Sequence, residues 1–224
     1  MISQRMTAVI VGSLFIIAMV SSLIGGGMLE TIFNAPDFPG QLTGQAVPIS
    51  VGVLLEVINA VAVLGIAFLL YPIIRRDDDT MAISYAGLRI LESFFCMLAA
   101  LFPMVLVEIS QNGVPAGGVG TPWLEAFSSM LLAARGVATG VFIPLLFGLS
   151  ALVFYTFLYR TRLLPRFIAI WGLGAVVLMF VVNLANFSLI VGMIFALPII
   201  LNEIFLGFWL IFRGFSIPEP SAEA

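Results

Sequence analysis

The side chains able to do chemistry in this chain are the few polar ones set inside long apolar stretches. Glu56 and Asn59 stand three apart in one stretch. Arg89 and Glu92 do the same in the next, with Cys96 four residues further on. On a helix each of these sets shares one face. Asn202 and Glu203 sit side by side in the last apolar stretch, and Arg135 opens an earlier one. Ionisable groups at depth in hydrocarbon are costly, turn toward one another, and mark ligand or proton pathways. Arg89 suits an anionic group or a partner carboxylate, and Glu92 or Glu203 suits proton exchange. Cys96 reads as a small apolar filler.

Other chemistries lack their residues. The chain has no histidine, and all nine of its basic residues are arginine. Its one cysteine allows no internal disulfide. Histidine-ligated haem, copper or zinc and cysteine-ligated iron–sulfur clusters therefore have no ligand set within the chain. A Schiff base has no lysine, and a Ser–His or Cys–His pair has no base. The aspartates, Asp37, Asp77, Asp78 and Asp79, all fall in polar connections. The reading is a protein that is not an enzyme and carries no cofactor or metal. No basic run exceeds two adjacent arginines, so nucleic acid is not an expected partner.

The elements that must position these groups follow from composition. Of 224 residues, 62% are apolar and 9% charged, and the mean hydropathy is +1.19. A soluble domain runs at roughly 45–50% apolar and about 25% charged, so the expected solvent is lipid. A spanning helix needs about 20 apolar residues. Six stretches qualify, near Met6–Ile24, Ser50–Ile74, Ala82–Val107, within Ala126–Tyr159, Arg166–Val182 and Leu189–Phe212. The first is too long for a cleaved leader and lacks its small-residue site. In the fourth, the crossing is placed at Gly136–Tyr159, with Pro122–Arg135 as a helical extension or interfacial segment. The stretches are apolar all round, unlike the alternating strands of a membrane barrel.

Gly25–Ile49 and Glu108–Glu125 are rich in glycine and proline and read as irregular loops, with Met28–Asn34 as a short interfacial helix. The domain is expected to run over residues 1–215, with 216–224 as a polar, disordered cytoplasmic tail. Gly136 with Gly140, and Gly192 with Ala196, are close-packing pairs.

Arginine sets the orientation. Seven of the nine, Arg5, Arg75, Arg76, Arg160, Arg162, Arg166 and Arg213, flank the same side of the six stretches. By the positive-inside rule that side is cytoplasmic. The expectation is an all-α integral membrane fold, a six-transmembrane-helix bundle of the inner membrane with both termini cytoplasmic. Glu92 lies ten residues beyond Ala82 and Glu203 ten before Arg213. At about 1.5 Å per residue both are about 15 Å deep, near the midplane of a layer about 30 Å thick. Glu56 and Arg135 fall toward the outer face.

Several short motifs recur in a known order: LLYPIIRRDDD from Leu69, LRILE from Leu88, LLPR from Leu163 and EIFLGFWLIFRG from Glu203. In this the chain resembles the bacterial membrane-protein family catalogued as domain of unknown function 4386, from about Arg5 to Gly214. The resemblance implies a six-helix integral protein, draws attention to Arg89 and Glu203, and supplies no substrate.

Two functions compete. In the first, the polar core around Arg89, Glu92 and Glu203, with Asn202, Glu56, Asn59 and Arg135, binds or moves a small or amphipathic ligand. In the second, the protein is an accessory subunit that meets other membrane subunits, or its own copies, through lipid-facing surfaces. The same polar groups also serve as interhelical fasteners.

Overall fold

The computed structural model describes residues 3–35, 38, 42–112, 122–184 and 189–216, and among them every regular element is a helix. The helices are α1 (Gln4–Phe33), α2 (Ala46–Ile74, after a 3-10 turn at Leu42–Gln45), α3 (Asp79–Asn112), α4 (Pro122–Val137), α5 (Ile143–Thr161), α6 (Arg166–Leu184) and α7 (Leu189–Phe212). A π-helical turn, Ala138–Phe142, joins α4 to α5 without a break. Among the described residues, five helices are long and apolar enough to cross a bilayer: Gln4–Phe33, Ala46–Ile74, Asp79–Gln111, Glu125–Thr161 and Ile194–Phe212. Arg166–Val181 is a shorter apolar helix. Large apolar side chains stand exposed along them, among them Phe68, Ile83, Val47 and Phe212. Such surfaces suit lipid, which has no water to exclude them.

Two expectations change. The first glycine-rich loop is largely helix: α1 continues through Gly25, Gly26 and Gly27 to Phe33, so the segment from Met28 is the end of α1 rather than a separate interfacial helix. Gly25 serves packing, since a Cβ there would sit 2.8 Å from the Gly52 carbonyl oxygen of α2. α3 likewise overruns its expected end at Val107. In the fourth stretch, Pro122–Arg135 is a helical extension, one of the two readings expected of it, and it runs continuously into the crossing. Pro144 explains the π turn: it has no N–H for the carbonyl four residues back. The ladder is already shifted there, the Ile143 N–H donating to the Ala138 carbonyl. Residues 113–121 and 217–224, on which the second expected loop and most of the expected tail fall, lie outside the described residues, and the surroundings of Gly192 are likewise outside them.

Helix ends follow local chemistry. The Ser3 hydroxyl accepts from the Met6 N–H (3.2 Å), capping α1. The Asp78 carboxylate accepts from the Met81 N–H (2.9 Å), capping α3. Beside it, Arg75 Nε donates to Asp79 Oδ1 at 2.8 Å. That bond, with the charges of Tyr71 and Asp79, holds the Arg75 guanidinium above its ordinary value. At the end of α7, Gly214 takes φ +75 and its N–H donates to the Leu210 carbonyl (3.1 Å), a glycine C-cap. Arg5 donates to the Ile211 and Phe212 carbonyls at 2.8 and 3.1 Å, placing a cation on the negative end of the same helix.

The chain divides into two compact units. Unit 1 comprises Met1–Ile16, Gly65–Arg89 and Phe147–Ala224; unit 2 comprises Ile17–Leu64 and Ile90–Leu146. Unit 1 is packed around Tyr85, Phe154, Tyr155 and Phe157, each essentially buried. In it α1 and α7 approach closely at Gly12 and Gly207, where a Cβ on Gly12 would sit 2.5 Å from the Gly207 carbonyl oxygen. Unit 2 has a smaller core of Leu29, Leu42, Ile49 and Leu106.

Candidate functional site

Unit 2 holds a buried ion pair beside a cavity. Arg135, near the end of α4, donates from Nη1 to Glu56 Oε2 at 2.8 Å and from Nη2 to Glu56 Oε1, so the pair is bidentate. Nη1 also donates to the Ala99 carbonyl of α3, at 2.8 Å. The Phe33 ring lies 5.7 Å from the guanidinium carbon. The Arg135 side chain is 3% exposed and that of Glu56 13%. Planar guanidinium and carboxylate match in a fork, which makes this the strongest form of the contact.

The cavity has a volume of about 240 Å³. Three helices each lend it one face: Ser22, Gly26 and Glu30 from α1 at intervals of four; Glu56 and Asn59 from α2; Cys96 and Ala99 from α3. Arg135, Thr139 and Ile143 complete it, again at intervals of four and running through the π turn. Asn59 Nδ2 reaches Cys96 Sγ at 3.8 Å. Glu30 is exposed and accepts from Asn34 Nδ2 at 3.2 Å. Nearby in unit 2, Ser93 ties α3 to α2 by donating to the Ala60 carbonyl (2.8 Å), and Glu92 is buried at 4% exposure.

A second buried ion pair lies in unit 1. Arg89 Nη2 stands 3.7 Å from Glu203 Oε1, with side chains 3% and 8% exposed. The rings of Phe147, Tyr85 and Phe15 lie 5.3, 5.6 and 6.0 Å from the Arg89 guanidinium carbon, a cation held among aromatic faces. Asn202 Nδ2 donates to the Ile168 carbonyl of α6 at 3.1 Å, fastening α7 to it. Arg89 and Glu203 do not line the cavity. Of the residues singled out from the sequence, Glu56, Asn59, Arg135 and Cys96 come together at it. Ser22, Glu30 and Thr139 were not singled out, although Thr139 follows Arg135 by one helical turn.

A family model described as a domain of unknown function, DUF4386, matches residues 10–214. The chain belongs to the DUF4386 family. No curated protein and no solved structure matches it. The DUF4386 match takes in both buried ion pairs and every described residue that lines the cavity. The family description assigns no activity, so the chemistry must be argued from the side chains.

Proposed function

We propose that this DUF4386 protein is a non-enzymatic integral membrane protein that binds a small amphipathic ligand in the unit 2 cavity. The observation that carries the reading is a cavity of about 240 Å³ with a buried Arg135–Glu56 pair in its wall. Pockets for drug-sized ligands span about 300–1,000 Å³. This one suits a headgroup and its first carbons, with the rest of the molecule lying along lipid-facing side chains. The distribution of arginine supports six crossings with both termini cytoplasmic, in the inner membrane.

The test plugs the cavity. Nothing lies within 4 Å of a Cβ placed on Gly26, so Gly26→Leu enters the space without a backbone clash. The full chain, released gently from membranes, is weighed by native mass spectrometry. The reading expects an adduct of defined mass on the wild type that is lost in Gly26→Leu at unchanged folded yield. Identical adduct profiles for the two proteins would overturn it.

One observation favours a second reading, an accessory subunit or homo-oligomer. Gly136 and Gly140 are exposed, and a Cβ on either meets nothing within 4 Å, which leaves that face open to a partner helix. Native sizing after mild solubilisation separates the two: a stoichiometric partner or a stable oligomer supports the second reading, a lone monomer the first.

A further inference from the structure

The cavity presents its charges unequally. Arg135 donates both Nη1 hydrogens, to Glu56 and to Ala99, and one from Nη2 to Glu56. Its Nε is buried, the residue is 2% exposed, and Phe33 lies against its guanidinium. The cation is thus turned into the protein. Glu56 is the more exposed partner, and Glu30 is openly exposed on the same cavity. Each Glu56 oxygen accepts a single hydrogen bond from Arg135, while an ionised carboxylate has about four acceptor positions. A further N–H donor can therefore bind Glu56 without displacing the arginine. Asn59 and Thr139 add oxygen acceptors, and Glu30, Glu56 and Arg135 together leave one negative charge in excess. Ser22, Gly26 and Glu30 form a stripe along α1 about 12 Å long, which ends at the carboxylate one turn from the helix end at Phe33.

We infer that the cavity takes the ammonium headgroup of a membrane-dissolved amphipathic primary amine, held between Glu30 and Glu56, with its hydrocarbon chain running along the Ser22–Gly26 side of α1. The inference deepens the ligand-binding reading above and rests on it. An alkylamine ionises much as lysine does, near about 10.4, and is a cation at neutral pH. Its three N–H donors match a wall of acceptors. A sulfate or phosphate head would meet two carboxylates, while Arg135, the cation among the described lining residues, already gives three of its five N–H donors to Glu56 and Ala99.

The test titrates the full chain, in a non-ionic detergent, with dodecylamine, dodecanol and dodecyl sulfate, and reads 1:1 complexes by native mass spectrometry. A charge-assisted hydrogen bond to Glu56 predicts saturable binding of dodecylamine about tenfold or more tighter than of dodecanol, with dodecyl sulfate weaker still. Glu30→Gln, at an exposed site that does not threaten folding, weakens the amine by about two- to fivefold and leaves dodecanol unchanged. Replacing the pair together, Glu56→Leu with Arg135→Met, abolishes the preference for amine, and Gly26→Leu removes binding of all three. Competition with phosphatidylethanolamine identifies the source: displacement of the amine assigns the site to a lipid headgroup, and failure to displace assigns it to a free amphiphilic amine. Equal binding of amine and alcohol, preference for sulfate, or indifference to Glu30→Gln overturns the amine inference while leaving amphiphile binding intact. Absence of saturable binding by all three probes overturns both.

Discussion

Glu56→Gln keeps the shape of the side chain and removes its charge, leaving the Arg135 guanidinium in a site where it is 3% exposed. One Arg135–Glu56 bond is lost, because the amide nitrogen cannot accept, and the other becomes a bond to a neutral amide oxygen, so with the Ala99 carbonyl the cation is left with uncharged acceptors alone. Removing one partner of a buried pair costs about 3–5 kcal/mol, because a charge is left uncompensated. Arg135→Met should cost a similar amount. The double variant, Glu56→Leu with Arg135→Met, removes both charges and should recover most of the loss, since an apolar replacement of a buried pair is often neutral. The expected coupling between the two sites is therefore at least about 2 kcal/mol. Interhelical hydrogen bonds in bilayers otherwise average about 0.6 kcal/mol. A double-mutant cycle, run by unfolding the four proteins in mixed micelles with rising dodecyl sulfate, distinguishes the two magnitudes. Additive single losses near about 0.6 kcal/mol each would refute the reasoning, because the pair would then be an ordinary fastener in a hydrated groove.

Three further outcomes follow from packing and capping. Gly12→Leu forces a side chain against the Gly207 carbonyl and should destabilise unit 1 by about 1–3 kcal/mol, whereas Gly136→Ala, which meets open space, should gain about 0.5–1 kcal/mol; the same unfolding assay compares them. Phe154→Ala, at a site 2% exposed between Phe15 and Tyr85, should cost about 3–5 kcal/mol and lower the folded yield in membranes. Arg5→Gln withdraws a cation from the last carbonyls of α7 and should cost about 0.3–1 kcal/mol, seen as faster amide exchange confined to residues 209–214 and unchanged exchange around Glu203.

Much of this protein is written locally. An excess of apolar residues over any soluble core, with charges spaced far apart, determined that the chain is helical and suited to lipid. Runs of apolar residues located the helices, because hydrocarbon requires each backbone N–H and C=O to be satisfied within its own segment. The polar connection carrying Asp77, Asp78 and Asp79 was legible for the same reason: turns depend on neighbours in sequence. The ends of α1 and α3 were not. Gly25 and Gly26 carry the signature of a turn, yet a helix continues through them, since Gly25 packs against Gly52 on another helix.

Partner choice belonged to the tertiary structure alone. By depth and spacing, Arg89, Glu92 and Glu203 drew attention first, and Arg135 read as a charge at a helix end. Periodicity says which face of a helix a residue occupies and nothing of which helix that face will meet. Only the packed chain sets Arg135 against Glu56, 79 positions apart, and turns its cation inward so that carboxylates line the cavity. A bilayer offers no solvent to satisfy a charge, so the pairing of charges, and with it the character of the site, is decided by which helices come together.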